Sequence, residues 1–397
     1  MRRRTLLAAV FVLAGLGAVA ASPWSEAQFG DKAILLHPKC QPLSTSLMGP
    51  FVKLGDGSLL AVDADRVMVS TDAAKTWSAR PLFAQPEKYQ CRDERALLRT
   101  RDGTLILAFL NEKERVFRWD QSRGGPLPGC RLPVYVTRST DEGNSWHEPE
   151  VLQEGYCGAI RSMIQLRSGR VVLGCQEAVS DPGRHICFTY ASEDEGQTWK
   201  RSNVIDLGGH RRAPCAAWSV GRGGYGDHGG GIEPTLAQLQ DGRVWMLIRT
   251  YRGCFSQAFS ADEGLTWEDV RPSEIEASGS PGELRRLQSG RLVLFWNRFI
   301  DQAKRTGRRE QLSMAFSEDD GRTWTKPVVV AYDPMQPGDK EPSHRLSYPY
   351  VFEHVPGELW VTTMQGPLRI KLLEDDFLPR RLSDETYTVR YLPAAEI

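Results

Sequence analysis

The stretch SADEGLTW at residues 260–267 recurs in altered form along the chain, and it decides how the fold is interpreted. Related copies are STDEGNSW at 139–146, SEDEGQTW at 192–199, SEDDGRTW at 317–324 and STDAAKTW at 70–77, where Ala74 replaces the glycine. The shared form is S-x-D-x-G-x-T/S-W. A spacing of roughly 40–70 residues predicts a solenoid, a propeller or another repeat array.

Each copy has the chemistry of a tight turn between two antiparallel strands. The Asp accepts hydrogen bonds from nearby backbone N–H groups, and the Gly adopts a positive φ at no steric cost. The Trp has a large apolar surface to bury between neighbouring units. The five copies are therefore interpreted as structural turns and not as five binding sites.

A second, shorter turn interleaves with the first. Its six copies have a glycine between two apolar segments, which is a hairpin signal; the glycines are Gly57, Gly103, Gly169, Gly242, Gly290 and Gly357. Six units with one hairpin early and another late predict an all-β fold, a six-bladed β-propeller of four-stranded antiparallel blades. A β-sandwich pair is the alternative, but it does not explain the interleaving. Residues 33–36, AILL, are expected to pair with the last sheet and close the ring.

Composition and the two ends of the chain restrict the expected partners, the compartment and the bounds of the domain. The chain has 397 residues with 50 basic and 50 acidic side chains, so its net charge does not favour nucleic acid as a partner. Residues 1–20 have a basic start, an apolar run and a small-residue cleavage site, which predicts a signal peptide and a periplasmic or secreted protein without a stable membrane anchor. Both the general and the twin-arginine export routes fit. The propeller is expected at residues 31–375, followed by a C-terminal tail at 376–397.

The eight cysteines are compatible with disulfide bonds in such a compartment, but no pairing follows from the sequence. The cysteines and the seven histidines lack the spacings of a zinc site, so neither a metal nor another cofactor is expected.

Topology restricts the search for a functional site. Both turn types lie on one face of the disc, so residues just before the first strand and just after the second strand of each blade lie on the other face. Loops held by a rigid scaffold at such a face carry function. The candidates there are Arg92, Asp93, Glu94, Arg95, Arg118, Trp119, Asp120, Asp227, His228, Glu233, Arg249, Arg252, Arg308, Arg309, Arg345, Tyr348, Tyr350 and Arg369. Arginines suit a carboxylate, because the guanidinium fork donates two parallel hydrogen bonds.

The long turns are similar to the Asp boxes, or BNR repeats, of the sialidase (neuraminidase) superfamily. The chain resembles bacterial members of that superfamily over nearly all of its predicted mature part. The resemblance is closest in GGGIEPTLAQLQDGRVWMLIRT at 229–250, and LSYPYVF at 346–352 continues it. It implies a retaining glycosidase with a tyrosine nucleophile, a Glu that activates the tyrosine, an Asp as general acid and base, and three arginines that hold the substrate carboxylate.

Position by position, the resemblance implies that Tyr348 is the nucleophile, with Tyr350 as the weaker match, and that Glu233 is the activating base. Asp120 falls where the acid/base loop is expected. The implied substrate-binding residues are Arg249, Arg309 (with Arg308 as its rival), Arg95, Arg92, Arg369 and His228. The R-I-P-A-L-L motif of the superfamily is D-E-R-A-L-L here, so Asp93 occupies the position of the first arginine.

Three functions remain open at this point. The first is hydrolysis of a terminal sialic acid or another anionic sugar of a glycan. The second is a lyase reaction on a uronate polysaccharide, with Tyr348 or His228 as base. The third is a non-catalytic carbohydrate-binding propeller, because a fold does not by itself imply a function. A Tyr348–Glu233 pair beyond hydrogen-bond reach would favour the third.

Overall fold

The architecture is a six-bladed β-propeller, as the repeats predict. The computed structural model describes residues 24–29, 32–120, 125–180, 183–208, 230–299, 309–334, 344–378 and 386–387. Within these ranges the regular structure is antiparallel strand apart from two short 3₁₀ helices, Glu112–Glu114 and Glu374–Phe377. No helix in the described ranges has the length and apolarity needed to cross a membrane. The predicted signal peptide lies outside the described residues.

Each blade is built from strands that follow one another from the centre outwards. Blade one contains Val52–Lys53, Leu59–Asp63, Arg66–Ser70 and Ser78–Pro81; blade two contains Cys91–Arg99, Leu105–Asn111, Val134–Ser139 and Glu150–Gln153. Blade three contains Met163–Gln165, Val171–Ser180, Gly183–Ser192 and Lys200–Arg201; blade four contains Ile232–Gln238, Val244–Arg249, Cys254–Ser260 and Glu268–Glu276. Blade five contains Glu283–Arg286, Leu292–Trp296, Gln311–Ser317 and Val328–Tyr332, and blade six contains Ser347–Val355, Glu358–Gln365 and Arg369–Leu373. Outside the blades, Trp119–Asp120 pairs with Gly125–Pro126, and Trp324–Thr325 pairs with Thr386–Tyr387.

The N-terminal strands close the ring differently from the sequence-based prediction. The strand Lys32–Leu36 pairs with the outer strand of blade five, and Ser25–Phe29 extends that sheet further. The short segment Cys40–Pro42 instead supplies the fourth strand of blade six. The prediction that residues 33–36 join the last sheet was therefore wrong. Ile34 and Leu36 are fully buried between blades five and six, which explains their apolarity, whereas CQP carries no strand signal.

The core lies between the blades. Six clusters of buried apolar side chains each join two neighbouring blades around the ring. Successive side chains of a strand point to opposite faces, so a strand with both faces covered is apolar throughout. In Leu292–Trp296, for example, Leu292 and Leu294 pack towards blade four, while Val293 and Phe295 pack towards blade six. The buried faces of adjacent blades hold the ring together.

The long turns have the geometry that their residues predict. The N–H of Gly143 donates to Ser139 Oγ at 2.9 Å, and the N–H of Ser145 donates to Asp141 Oδ1 at 2.9 Å. The same bonds recur in the copy without glycine, where the N–H of Ala74 donates to Ser70 Oγ at 2.9 Å although its φ is 67°. The tryptophans of these turns pack into the clusters between blades.

The described cysteines form no disulfide bond with one another. They are Cys40, Cys91, Cys130, Cys157, Cys175, Cys187 and Cys254, and Cys215 lies outside the described residues. Six of the seven are buried and behave as small apolar side chains of the core.

Replacing Gly321 with alanine is expected to lower the free energy of unfolding by about 2–5 kcal/mol. Gly321 has a φ of 82°, and a Cβ added there would lie 2.5 Å from the buried ring of Trp245. Gly290→Ala is the matched control, because Gly290 has a φ of 88° with no atom within 4 Å of the added Cβ. The control should lose only about 1–2 kcal/mol in urea unfolding. Equal losses in the two variants would contradict the packing argument.

Candidate active site

A tyrosine and a glutamate from two different blades meet in a buried hydrogen bond. Tyr348 lies in the first strand of blade six and Glu233 in the first strand of blade four. The Tyr348 O–H donates to Glu233 Oε1 at 2.7 Å. The backbone N–H of Glu233 donates to Gln176 Oε1 at 2.6 Å, which fixes the glutamate against blade three. Both members of the pair are 7% exposed. The separation meets the requirement for a nucleophile and its base.

Arg249 holds the pair together. Its Nη1 donates to Glu233 Oε2 at 2.5 Å and to Tyr348 Oη at 3.0 Å. Its Nη2 donates to Tyr251 Oη at 2.7 Å. The register explains the contact: Ile232 pairs with Arg249, so the neighbouring Glu233 lies beside the arginine at the end of the second strand. Topology thus brings the three side chains together as the sequence predicts.

Two further guanidinium groups lie against the Tyr348 ring. The Cζ atom of Arg309 is 5.4 Å from the ring centroid, and that of Arg161 is 5.1 Å away. Arg309 is oriented by Gln365, whose Oε1 accepts from Nη1 at 2.7 Å. The guanidinium of Arg161 also lies 4.7 Å from the ring centroid of Tyr350, and its Nη2 donates to the carbonyl of Pro349. Three arginines therefore converge on Tyr348.

Burial and the neighbouring charges shift the pKa values of Glu233 and Tyr348 apart, so that the proton stays on the tyrosine. Burial acts to raise the pKa of Glu233, but the charge and hydrogen bond of Arg249, the hydrogen bond from Tyr348 and the charge of Arg161 together outweigh it, and the net pKa is below its ordinary value. Burial and the Glu233 carboxylate raise the pKa of Tyr348 to about 12. Burial and the neighbouring Arg249 lower the pKa of Arg309. The resting pair is a carboxylate and a neutral phenol.

The backbone is strained at three of the four central residues. Glu233, Arg309 and Tyr348 have φ values of 51°, 70° and 60°. A non-glycine residue in this region costs on the order of 1–3 kcal/mol and persists when its surroundings over-determine it. Here the surroundings are the hydrogen bonds to Gln176, Gln365 and Arg249 described above. Such strain is common where side chains are held for chemistry.

The predicted residues Arg92 and Arg95 of blade two are connected to blade six through Tyr350. Arg95 is 1% exposed, and its Nη1 donates to the carbonyl of Arg92 at 2.8 Å. Arg92 in turn pairs with Glu112 at 2.6 Å. Tyr350 connects this segment to blade six, because its O–H donates to the carbonyl of Asp93 at 2.8 Å. The substrate-binding roles of Arg92 and Arg95 stay predictions.

Three other predicted residues also keep their roles as predictions. Asp120 lies in the two-residue strand Trp119–Asp120 of the insert in blade two. Arg369 Nη1 donates to the carbonyls of Leu368 at 2.7 Å and Thr363 at 2.9 Å, and burial lowers its pKa to about 10. His228 lies outside the described residues, as do Asp227 and Arg308.

The sequence-based reasoning missed four side chains that shape this region. They are Gln176, Tyr251 and Gln365, which orient the central residues, and Arg161, which lies against both tyrosines. A signal for Arg161 existed, since it stands just before the first strand of blade three and meets the same topological rule. The described ranges contain no group of three or more His, Cys, Asp or Glu residues that could hold a metal ion.

Comparison with known proteins supports the architecture. The family model of the BNR repeat-like domain matches residues 63–361, and no curated protein matches the chain. A protein of unknown function from Dyadobacter fermentans DSM 18053 is 15% identical with a TM-score of 0.58, over 85% of this chain and 100% of that one. The Hadza microbial sialidase Hz136 is 17% identical with a TM-score of 0.57, over 83% and 66% of the two chains. The NanB sialidase from Streptococcus pneumoniae is 13% identical with a TM-score of 0.54, over 90% and 71%. At such identities the likeness shows a shared fold.

Proposed function

The chain belongs to the family of BNR repeat-like domains, and from this premise we propose that it is an exported glycoside hydrolase of sialidase type. Its substrate is a glycan with a terminal sialic acid or a related anionic sugar. One observation carries the proposal: the Tyr348 O–H donates to the buried carboxylate of Glu233 at 2.7 Å. The N-terminal pattern at residues 1–20 supports export, and the sialidase neighbours support a carbohydrate ligand.

The proposed reaction has two steps and retains the anomeric configuration. In the first step the Tyr348 oxygen bonds to the anomeric carbon as the bond to the leaving oxygen breaks. Glu233 takes the phenolic proton, and Asp120 gives a proton to the leaving oxygen. In the second step water attacks the same carbon and gives its proton to Asp120. The bond to Tyr348 breaks, and the phenol regains its proton from Glu233.

A neutral tyrosine suits a substrate whose anomeric carbon bears a carboxylate, because a charged nucleophile would be repelled. The raised pKa of Tyr348, about 12, keeps the phenol neutral until attack. Positive charge close to the ring then stabilises both the substrate carboxylate and the phenolate that develops. Arg309 fits the first task and Arg249, which already donates to the phenolic oxygen at 3.0 Å, fits the second.

A fluorogenic α-sialoside tests the proposal directly. We expect release of the fluorophore, with the sugar first appearing in the configuration of the substrate when the reaction is followed by proton NMR. An α-L-arabinoside with the same leaving group is the control and should stay intact. Hydrolysis of the arabinoside alone would contradict the anionic substrate. An ultraviolet-absorbing unsaturated product from a uronate polysaccharide would replace hydrolysis with elimination.

A further inference from the structure

A channel lined by residues of all six blades lies next to the candidate active site, with which it shares Arg161. Its volume is about 1130 Å³. At one end it is lined by residues of the short turns between first and second strands, such as Arg101 and Gly290. At the other end it is lined by Arg161, Glu283 and Tyr350, which lie at or near the beginning of the first strands of blades three, five and six. Tyr348, Glu233, Arg249 and Arg309 are not part of its wall. Arg161, whose guanidinium lies against the Tyr348 ring, is therefore shared with the candidate site, and the rest of the wall extends to the turn face.

The wall of this channel is strongly cationic. Among the described residues of the wall, seven are basic and one, Glu283, carries a carboxyl group; the basic residues are Lys53, Arg99, Arg101, Arg161, Arg167, Arg285 and Arg286. Arg99 and Arg286 are neutralised from outside the wall by Glu142 and Asp320. A low-dielectric cleft lined by one sign of charge focuses the field and concentrates counter-ions. Such a wall favours an anion.

Four of the arginines have no carboxylate partner among the described residues. Arg101, Arg167 and Arg285 donate to backbone carbonyls, namely those of Leu166 at 2.8 Å, Leu239 at 2.9 Å and Val351 at 2.9 Å. The fourth is Arg161, which donates to the carbonyl of Pro349. A carbonyl satisfies an N–H group but does not neutralise the charge. The positive charge of these four arginines is therefore not neutralised by an ion pair within the described residues.

At the inner end of the channel, buried polar atoms of Arg161 and Glu283 lack hydrogen-bond partners among the described residues. Arg161 is 4% exposed, and its Nε and Nη1 have no hydrogen-bond partner in the part of the chain that the structure describes. Glu283 is 7% exposed, and its Oε2 is unpartnered as well. Burial raises the pKa of Glu283 to about 7, against the pull of Arg161 and Arg285. Near neutral pH this carboxyl therefore spends part of its time uncharged and compensates the arginines only in part.

We propose that this channel is a second ligand site, which takes an anionic group, a carboxylate, sulfate or phosphate, from the turn face and binds it between Arg161 and Arg285. Nε and Nη1 of Arg161 are the buried donors, and the exposed Arg285 is the donor nearer the solvent. Guanidinium forks match all three anions bidentately. The proposal rests on the channel and its charges and not on the reaction at Tyr348, and Arg161 is the residue that the two sites share.

Calorimetric titration with inorganic sulfate tests the site, with selenate soaked into crystals to locate the anion by its anomalous signal. The intact protein is expected to bind one sulfate, and selenate should lie against Arg161 and Arg285. Arg285→Gln should weaken binding at least about tenfold, since a charge-assisted donor is lost. Arg271→Gln is the matched control, because Arg271 is an exposed arginine outside the channel and pairs with Asp269 at 3.0 Å. The control should bind as the unmodified protein does.

The pH dependence gives a second measure. As the pH rises through about 7, Glu283 becomes charged and should weaken sulfate binding. In Glu283→Gln this weakening should disappear. Equal affinity in Arg285→Gln and Arg271→Gln would overturn the proposal, and so would selenate bound at Arg309 with none at Arg161.

Discussion

Replacing Tyr348 with phenylalanine is expected to reduce turnover of a sialoside by a factor on the order of 10³ to 10⁶. The variant keeps the ring, and with it the contacts to Arg161 and Arg309, but it removes the oxygen that would form the covalent bond. Glu233 would keep its bond to Arg249 Nη1 at 2.5 Å, so the carboxylate stays paired. Steady-state kinetics with a fluorogenic sialoside measures the loss.

Tyr350→Phe is the matched control for this variant. Tyr350 lies two residues further along the same strand and is 4% exposed. Its hydroxyl donates to the carbonyls of Asp93 and Arg95 and accepts from the N–H of Arg95, and these bonds are lost when it is removed. Both variants should lose about 1.5–3 kcal/mol of unfolding free energy at most. Tyr350→Phe should stay within about tenfold of full activity, because its hydroxyl bonds backbone groups of blade two. Full activity in Tyr348→Phe would end the tyrosine mechanism.

The sequence predicted the fold and the central residues because both follow from repeated local patterns. Turn chemistry marks one face of the disc, and strand alternation then forces the first residues of each blade to the opposite face. That rule places Glu233 and Tyr348 on the same face although they are 115 residues apart in the chain, and the family resemblance singled them out among the candidates there. Because the same turns recur in every blade, they indicate for each blade which residues lie on the opposite face.

Features that depend on single long-range contacts escaped the prediction. The closing strand Cys40–Pro42 is too short and polar to show a strand pattern, and it is a strand because blade six offers it an edge. Arg161 stands in the apolar context AIRSMI, and its guanidinium bonds the carbonyl of Pro349 in blade six, 188 residues away, between the two tyrosines. The positive φ of Tyr348, 60°, has no signature in the residue type itself. These properties arise only after the ring has closed.

Replacing Glu233 with glutamine is expected to abolish turnover and to destabilise the fold by about 3–5 kcal/mol, because Arg249 is left as a buried charge without a counter-charge. Arg249 is 4% exposed and Glu233 is 7% exposed, so water cannot easily replace the missing partner. Urea unfolding measures the stability, and the sialoside assay measures the activity. Asp269→Asn is the control, since the Asp269–Arg271 pair is more than half exposed and should contribute at most about 1 kcal/mol.

The double variant Glu233→Gln/Arg249→Met separates the two effects. Removing both charges of a buried pair is far less costly than removing one, so the double variant should be more stable than the sum of the single losses predicts. Its activity should remain absent, because neither the base nor the donor to Tyr348 returns. Additive losses of stability would mean that the two groups are not coupled, in contradiction to their 2.5 Å contact.

Acid unfolding gives an independent check on the same pair. The folded-state pKa of Glu233 is lowered from 4.5, so the unfolded chain binds the proton more readily than the folded one. The stabilisation by this carboxylate is therefore fully present above pH about 4.5 and is lost as the pH falls through the folded-state pKa. Glu233→Gln lacks this group, and its stability should fall less steeply in that range. If both proteins lose stability with the same slope below pH 4.5, Arg249 does not hold the carboxylate in its charged form.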